Sequence, residues 1–292
     1  MQLIANAAIA GSLGALIAGG LALVYGLLGI FNLALGQTVL LGGYATWVLH
    51  QGLHLPLPLS ILGGVLAGVV LAALTFEVFV NPFYRLHRFL PLVTTIALSM
   101  ILDGAILLMF QSSPKSIVPG IPKVLHIAGA SVSIEQLFLI GATLVLLLLC
   151  AYVLHTTPFG RRVRAMVAHE HAAMSLGVPA KMLFRFMFLV SGALAAAGGI
   201  FIGIDQNLSP TLAFPLTIKA YAAIMAGGKG NLWGAILAAY IIALLEQLLV
   251  GIHWFGLFYV PAGYQQTVAL FFIILFLIFK PTGLFASRSR IA

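Results

Sequence analysis

Charged residues are scarce in this sequence of 292 residues: Asp, Glu, Lys and Arg together make up 7%, whereas apolar types make up 62%. Soluble domains carry about 25% charged residues, so this composition excludes an ordinary soluble enzyme. A spanning helix needs about 20 apolar residues, and eight or nine of them would use roughly 160 to 180 positions. Little chain remains for a fused nucleotide-binding domain. We therefore expect an integral membrane protein surrounded by membrane lipid.

Motifs for chemistry are also missing. Cys150 is the single cysteine, which excludes an internal disulfide bond. His169 and His171 are two residues apart and would point to different sides of a helix, so we expect no metal site there. The segment around Lys229 has Gly230 where a phosphate-binding loop requires Ser or Thr. We expect no catalytic residues, no metal and no cofactor in this chain, and its basic residues, which lie in short gaps between apolar runs, do not indicate nucleic-acid binding.

Long apolar runs account for most of the chain. They fall near residues 5–28, 38–52, 59–80, 90–110, 134–154, 186–204, 212–226, 232–250 and 264–280. The pattern predicts an all-α fold, a polytopic transmembrane helix bundle of eight to nine spans with some of them broken or re-entrant, in a single domain over residues 1–292. No basic segment precedes the first run, so we expect that helix to be retained rather than cleaved.

Basic residues predict the orientation, since short loops rich in Lys and Arg remain cytoplasmic. Residues 81–89, the segment 155–185 and the tail from Lys280 are rich in Arg and Lys, whereas residues 251–263 have neither. Nine crossings with the N-terminus outside and the C-terminus in the cytoplasm satisfy every loop. The segment at 155–185 also predicts a short amphipathic helix that lies on the membrane or docks into a partner.

Two apolar segments are interrupted by Gly and Asn, at residues 26–36 and 227–234. Breaks of this kind leave backbone groups free to bind a substrate or to bend. The alternative is that both segments are ordinary turns between helices, with Asn32 and Asn231 as helix caps. If the breaks are hinges, Gly36→Ala or Gly228→Ala should lower uptake more than abundance.

Acidic residues in hydrocarbon are costly and therefore informative. Asp103 follows Thr95 and Ser99 at helical spacing, which predicts a polar stripe that lines a translocation path or bonds a neighbouring helix. We expect Glu77 to form an interfacial salt bridge with Arg85 or Arg88.

Several segments together resemble one family. They are VYG at 24–26, NLALGQ at 32–37, TTIALS at 94–99, FGRRVRA at 159–165, SGALAAAGG at 191–199 and KAYAA at 219–223. Their order and spacing are similar to those of the H-type permease subunit of branched-chain amino acid ABC importers. Gln37 stands in place of a usual Glu and Asp103 in place of a usual Asn, so the resemblance leaves the substrate open among branched-chain or other small amino acids, urea, amides and aromatic acids.

The resemblance implies an importer in the bacterial plasma (inner) membrane. The implied partners are a second permease subunit, two ATPase subunits that bind ATP and magnesium, and an extracytoplasmic substrate-binding protein. The implied substrate pathway comprises Asn32, Gln37, Thr95, Ser99, Asp103 and Asn231. The implied ATPase-coupling residues are Gly160, Arg161, Arg164, Ala173, Leu176 and Gly177. Two other classes remain open, namely an ion-coupled secondary transporter that titrates Asp103 or Glu77 and an intramembrane enzyme that uses His and acidic residues.

Overall fold

The computed structural model is mostly helical, as the apolar runs predict. It describes residues 1–84, 86–87, 89–119, 124–127, 129–228 and 230–251, together with positions 267, 271, 274, 278 and 283. The first helices in chain order are α1 (Gln2–Leu28), α2 (Leu35–Trp47), α3 (Leu57–Leu74), α4 (Asn81–Tyr84), α5 (Leu90–Phe110) and α6 (Ile134–Thr156). The others are α7 (Pro158–Ala168), α8 (Glu170–Ser175), α9 (Ala180–Asp205), α10 (Ala213–Gly227) and α11 (Leu232–Gly251).

The predicted count of eight to nine spans is not confirmed. Among the described residues, five helical segments are long and apolar enough to cross a membrane, and the pair α10–α11, bent by 118°, brings the number to six. One reason is that α2 has only 13 residues and ends in a π-helical turn at Val48–Gly52. The last predicted run, at 264–280, lies almost entirely outside the described residues, as do the loop at 252–263, most of the tail, Arg85, Arg88 and Lys229.

The centre of the bundle is formed by α1 and α9, whose side chains are mostly buried. Small residues allow the helices to approach closely, because a Cβ at Gly68 would lie 3.1 Å from the carbonyl oxygen of Gly192 on α9. A Cβ at Gly42 would likewise lie 2.8 Å from the oxygen of Ala196. In contrast, α3, α5 and α6 expose most of their apolar side chains in the single chain, which leaves them for lipid or for another subunit.

The all-α prediction omits a short pair of antiparallel strands. Strand β1 (Val124–Ile127) pairs with β2 (Ala130–Ser133) in the loop predicted to face outside. The side chain of Gln2 makes two hydrogen bonds with the backbone of Ser131, donating at 3.1 Å and accepting at 2.8 Å. The start of α1 is thereby fixed to β2.

The segment Thr75–Val80, between α3 and α4, is π-helical. A π-helix disturbs the regular backbone ladder, and the hydroxyl of Thr94 on α5 donates to the carbonyl oxygen of Phe79 within this segment. The end of α3 and the beginning of α5 are therefore joined by a hydrogen bond as well as by packing.

Candidate functional site

The first predicted break separates α1 from α2. Gly29 adopts the left-handed conformation, with φ at +63°, and its N–H donates to the carbonyl oxygen of Tyr25 at 2.9 Å. Asn32 is buried, and its Oδ1 accepts from the N–H of Ala34 at 3.1 Å, one residue before α2 begins. The chain therefore leaves the helix at Gly29 and re-enters it at Leu35.

The polar stripe on α5 faces this break and α2. The Thr95 hydroxyl accepts from the N–H of Leu33 at 3.3 Å and donates to its own helix at the oxygen of Pro91, at 2.7 Å. Ser99 donates to the oxygen of Ile96 at 2.8 Å. The stripe therefore bonds a neighbouring segment through Thr95, and whether it also lines a translocation path stays a prediction.

Asp103 completes the stripe through a bond to α2. Its Oδ1 accepts from Nε2 of Gln37 at 3.1 Å, so the two polar residues singled out separately in the sequence are partners. Gln37 is 1% exposed, and its Oε1 has no hydrogen-bond partner among the described residues. Asp103 is half-buried in the single chain. An unused buried acceptor beside a carboxylate is unusual inside a protein.

The second break, between α10 and α11, is built differently. Gly228 and Gly230 both have positive φ, at +103° and +77°. Asn231 donates its N–H to the oxygen of Gly228 at 3.3 Å, and its Oδ1 accepts from the N–H of Gly234 in the first turn of α11, at 3.1 Å. Asn231 therefore acts as the helix cap that the simpler interpretation of the sequence predicted.

The two breaks lie side by side. A Cβ at Gly26, near the end of α1, would lie 3.2 Å from the Cα of Gly230. The ring of Phe31 in the first break lies 5.0 Å from that of Tyr25 and 5.2 Å from that of Tyr221 on α10. This aromatic cluster was not identified from the sequence; the only available signal was an aromatic residue close to each break.

A buried ion pair was also missed. Lys219 on α10 contacts Glu246 on α11, which is 3% exposed. The signal was present, because Lys219 is the only charged residue in the predicted run 212–226. Its partner Glu246 is 27 positions away, so the spacing within one helix does not indicate the pair.

The six residues predicted for ATPase coupling fall into two groups within residues 158–178. Four of them have a structural reason to be there: Gly160, Arg164, Ala173 and Gly177. A Cβ at Gly160 would collide with the backbone of Leu154. The guanidinium of Arg164 donates to the carbonyl oxygens of Leu154 and His155. Ala173 is 3% exposed, and Gly177 has a positive φ of +84°. The other two project outward. The side chain of Arg161 is exposed, and that of Leu176 is 86% exposed.

The coupling segment is also bonded to the bundle. The hydroxyl of Tyr84, at the end of α4, donates to Oε1 of Glu170 on α8 at 2.9 Å. Glu77 pairs with Lys181 at 3.6 Å and with Arg185 at 3.4 Å, both on α9. Glu77 therefore forms ion pairs with two cations of α9, whereas its predicted partners, Arg85 and Arg88, lie outside the described residues.

Comparisons with known proteins agree over nearly the full length. Residues 3–279 match the family model described as the permease component of branched-chain amino acid transport systems. The high-affinity branched-chain amino acid transport system permease protein BraD of Pseudomonas aeruginosa is 26% identical over 97% of this chain and 95% of that protein. LivH of Escherichia coli K12, named as the same kind of permease, is 25% identical over 97% of this chain and 94% of its own length. PsaBC from Streptococcus pneumoniae, solved in complex with Fab, shares the fold with a TM-score of 0.51 at 16% identity, over 97% of this chain and 93% of that one.

Proposed function

The chain belongs to the family of permease components of branched-chain amino acid transport systems, and on that premise we propose that it is the membrane-spanning permease subunit of an ATP-driven importer for branched-chain or other small amino acids or amides. The family match over residues 3–279 carries the proposal. The named substrates of BraD and LivH support the choice of branched-chain amino acids as the first substrates to test. The chain is a multi-pass membrane protein and a transport component rather than an enzyme.

The complete importer, in this proposal, contains a second permease subunit, two ATPase subunits and an extracytoplasmic substrate-binding protein. ATP and magnesium bind to the ATPase subunits, since this sequence has no phosphate-binding loop. The basic segment 155–185 lies on the cytoplasmic side of the bacterial inner membrane, with the N-terminus outside and the C-terminus inside.

The substrate pathway runs along the seam between α2 and α5 and past the two breaks. This assignment is supported by the hydrogen bonds that bring Gln37 to Asp103 and Thr95 to the first break. A carboxylate such as that of Asp103 is costly against lipid, so its partly exposed side faces water or the second permease. The second break enters the pathway because Gly230 adjoins Gly26.

The ATPase subunit docks on α7 and α8, where Leu176 and Arg161 project and the buried residues hold the segment's shape. Hydrogen bonds described above connect α8 to the membrane-spanning helix α5. Glu170 on α8 binds Tyr84, the chain passes directly from Tyr84 back to the π-helical segment, and Phe79 in that segment accepts from Thr94 on α5. A displacement of α8 would thus reach the helix that carries Asp103.

The function is tested by reconstituting the chain in proteoliposomes with its partner permease, ATPase subunits and binding protein. Uptake of leucine, isoleucine or valine should require ATP and should stop when the ATPase subunits are omitted. Uptake by the permease alone under a proton or sodium gradient would instead establish the secondary-transporter alternative. Absence of uptake of all three amino acids by the complete complex would contradict the proposed substrate class.

Docking is tested with Leu176→Ser, which replaces an exposed side chain without disturbing a buried contact. We expect a several-fold fall in uptake per ATP hydrolysed, with membrane insertion unchanged. The matched control is Leu53→Ser, because Leu53 is 63% exposed in the loop predicted to face outside. Arg164→Ala should act differently, by destabilising the junction of α6 and α7 where its guanidinium binds. Equal coupling in Leu176→Ser and Leu53→Ser would contradict the docking assignment.

A further inference from the structure

The polar residues proposed for the pathway differ in how fully their hydrogen bonds are used. Asn32, Thr95, Ser99 and Asn231 all bond to backbone groups close by, at a break or within their own helix. Gln37 is the exception, because the Oε1 of a side chain that is 1% exposed has no partner among the described residues. A buried amide oxygen without a partner destabilises the folded protein. A ligand that donates a hydrogen bond would satisfy it.

The Gln37 amide is oriented by its bond to Asp103. Its NH₂ group donates to Oδ1 of Asp103 at 3.1 Å, and its oxygen therefore faces away from that bond. The pair therefore offers a carboxylate and a neutral carbonyl oxygen, which are both acceptors and together carry one negative charge.

The contact between α2 and α5 continues seven residues further along both helices and there includes a second buried polar atom that lacks a partner within the part of the chain that the structure describes. Tyr44 follows Gln37 by seven residues, and its ring stacks on that of Phe110, which follows Asp103 by seven, with centroids 4.2 Å apart. The two helices thus run parallel in matching register. The Tyr44 hydroxyl is buried and has no hydrogen-bond partner among the described residues. The seam holds two unsatisfied polar atoms, and no Lys or Arg of the described residues forms a hydrogen bond or ion pair with Asp103.

This set of groups selects one ligand chemistry. Two acceptors with a net negative charge favour a small cation with several N–H donors, whereas the carboxylate end of an amino acid would be repelled. We propose that Gln37 and Asp103 form a subsite that binds the ammonium group of an α-amino acid as it passes between α2 and α5. This subsite rests on the proposed transport function. In it Gln37 and Asp103 contact the substrate, whereas four other polar residues hold the backbone in position: Asn32, Thr95, Ser99 and Asn231.

The uptake test exchanges the two functional groups. Asp103→Asn removes the charge, and Gln37→Glu places two carboxylates together, so each should lower leucine uptake by the complete importer about tenfold or more. The double variant Gln37→Glu/Asp103→Asn restores one carboxylate and one amide and should recover most of the uptake. Gly104→Ala is the control for changes in α5, since a Cβ at Gly104 meets nothing within 4 Å. Failure of the double variant to recover uptake would overturn the subsite.

A second readout separates binding from a structural role of the pair. Ser99→Cys, one turn before Asp103, is introduced into the complete complex together with Cys150→Ala, and the rate at which the new thiol reacts with a thiol reagent is measured. Isopentylamine, which has the ammonium group of leucine without its carboxylate, should slow labelling several-fold. 4-Methylpentanoate, which has the carboxylate without the ammonium group, should not, and Asp103→Asn should abolish protection by the amine.

The outcomes distinguish the subsite from the transport function. Labelling that isopentylamine does not slow, or no labelling in either nucleotide state, contradicts the subsite, because a ligand must reach the pair. If labelling is protected by the amine while the complete complex takes up no leucine, the subsite stands and the proposed substrate class fails. Normal leucine uptake by Asp103→Asn overturns the subsite and leaves the transport function intact.

Discussion

The two breaks have similar sequences but are stabilised in different ways. The break at 29–34 depends on another helix, because Thr95 of α5 binds its backbone at Leu33. At the second break, Asn231 makes local hydrogen bonds, because its N–H donates to Gly228 and its Oδ1 accepts from Gly234 within a few residues. A break bonded to a second helix responds when that helix moves. A turn with local hydrogen bonds of this kind is expected to move together with the helices on either side.

From this difference we expect the two breaks to have separate parts in transport. A movement of α5 should change the end of α1 and the start of α2 at the first break. The second break contacts the first through Gly26 and through the ring of Tyr221 against Phe31, and we expect it to pass movement on without changing its own shape. The hinge hypothesis for both breaks thus becomes a hypothesis for the first break alone, with glycine at 228 required by a positive φ.

The two helices at the second break, α10 and α11, are joined by the ion pair between Lys219 and Glu246. Lys219→Met leaves the buried carboxylate of Glu246 without its cation and should destabilise the protein by about 4 kcal/mol. Lys219→Met/Glu246→Leu removes both charges and should be far less harmful. Thermal unfolding of the purified protein in detergent measures the difference. A double variant as unstable as the single one would show that the second break does not depend on charge pairing.

The start of α2 allows a test of the hinge at the first break. A Cβ at Gly36 would collide with the backbone of Ala213 and the hydroxyl of Thr217, so Gly36→Ala should cost about 3 kcal/mol and lower the abundance of the complex together with uptake. The sequence alone predicted near-normal abundance for this variant. Gly104→Ala, which adds its methyl group to open space, is the control in a membrane-abundance assay. Normal abundance of Gly36→Ala with lost uptake would restore the hinge interpretation of this glycine.

Dependence of the first break on α5 is tested by Thr95→Val, which keeps the side chain's shape and deletes the hydroxyl. The N–H of Leu33 then loses this partner, at a cost of about 2 kcal/mol, and uptake should fall more than abundance. Thr143→Val is the matched control, because the buried hydroxyl of Thr143 on α6 has no partner among the described residues. Equal behaviour of the two variants in uptake would remove the contrast between the breaks.

The smallest effect is expected at the helix cap of the second break. Asn231→Ala deletes the oxygen that caps α11 and should cost about 1 kcal/mol, with uptake lowered only in proportion to abundance. Asn231→Asp keeps an oxygen at the cap and should restore stability. A loss of uptake in Asn231→Ala far greater than its loss of abundance would show that the second break also acts in transport.

Features that depend on nearby residues were predictable from the sequence. Apolar runs predicted the helices, Gly and Asn predicted where α1 and α10 end, and the spacing of Thr95, Ser99 and Asp103 predicted a polar stripe on one helical face. The family resemblance is confirmed by the match over residues 3–279. These predictions succeed because helical periodicity and backbone propensity are properties of short segments.

Features that depend on contacts between distant segments were not predictable. The partner of Gln37 is 66 positions away and that of Lys219 is 27 positions away, so periodicity within one helix does not reveal either pairing. Glu77 illustrates the same limit, because the sequence suggested cations nearby and the structure provides Lys181 and Arg185 from α9. The predicted span count is not confirmed, since five to six candidate spans lie among the described residues and the 118° bend between α10 and α11 could not be read from composition.

The burial of α1 has a consequence for the order in which the protein is made. This helix is the first of the described helices to leave the ribosome, yet it packs chiefly against α9 and α11, which begin only at Ala180 and Leu232. During synthesis α1 is therefore expected to lie in lipid before its partner helices are made. Its hydroxyl group at Ser12 is satisfied in that state, because it donates to the carbonyl oxygen of Ala8 in the same helix. The same hydroxyl lies 3.0 Å from that of Tyr240 once α11 arrives. Assembly of the bundle thus waits for the later helices, and a chain released early from the ribosome would leave its central helix facing the bilayer.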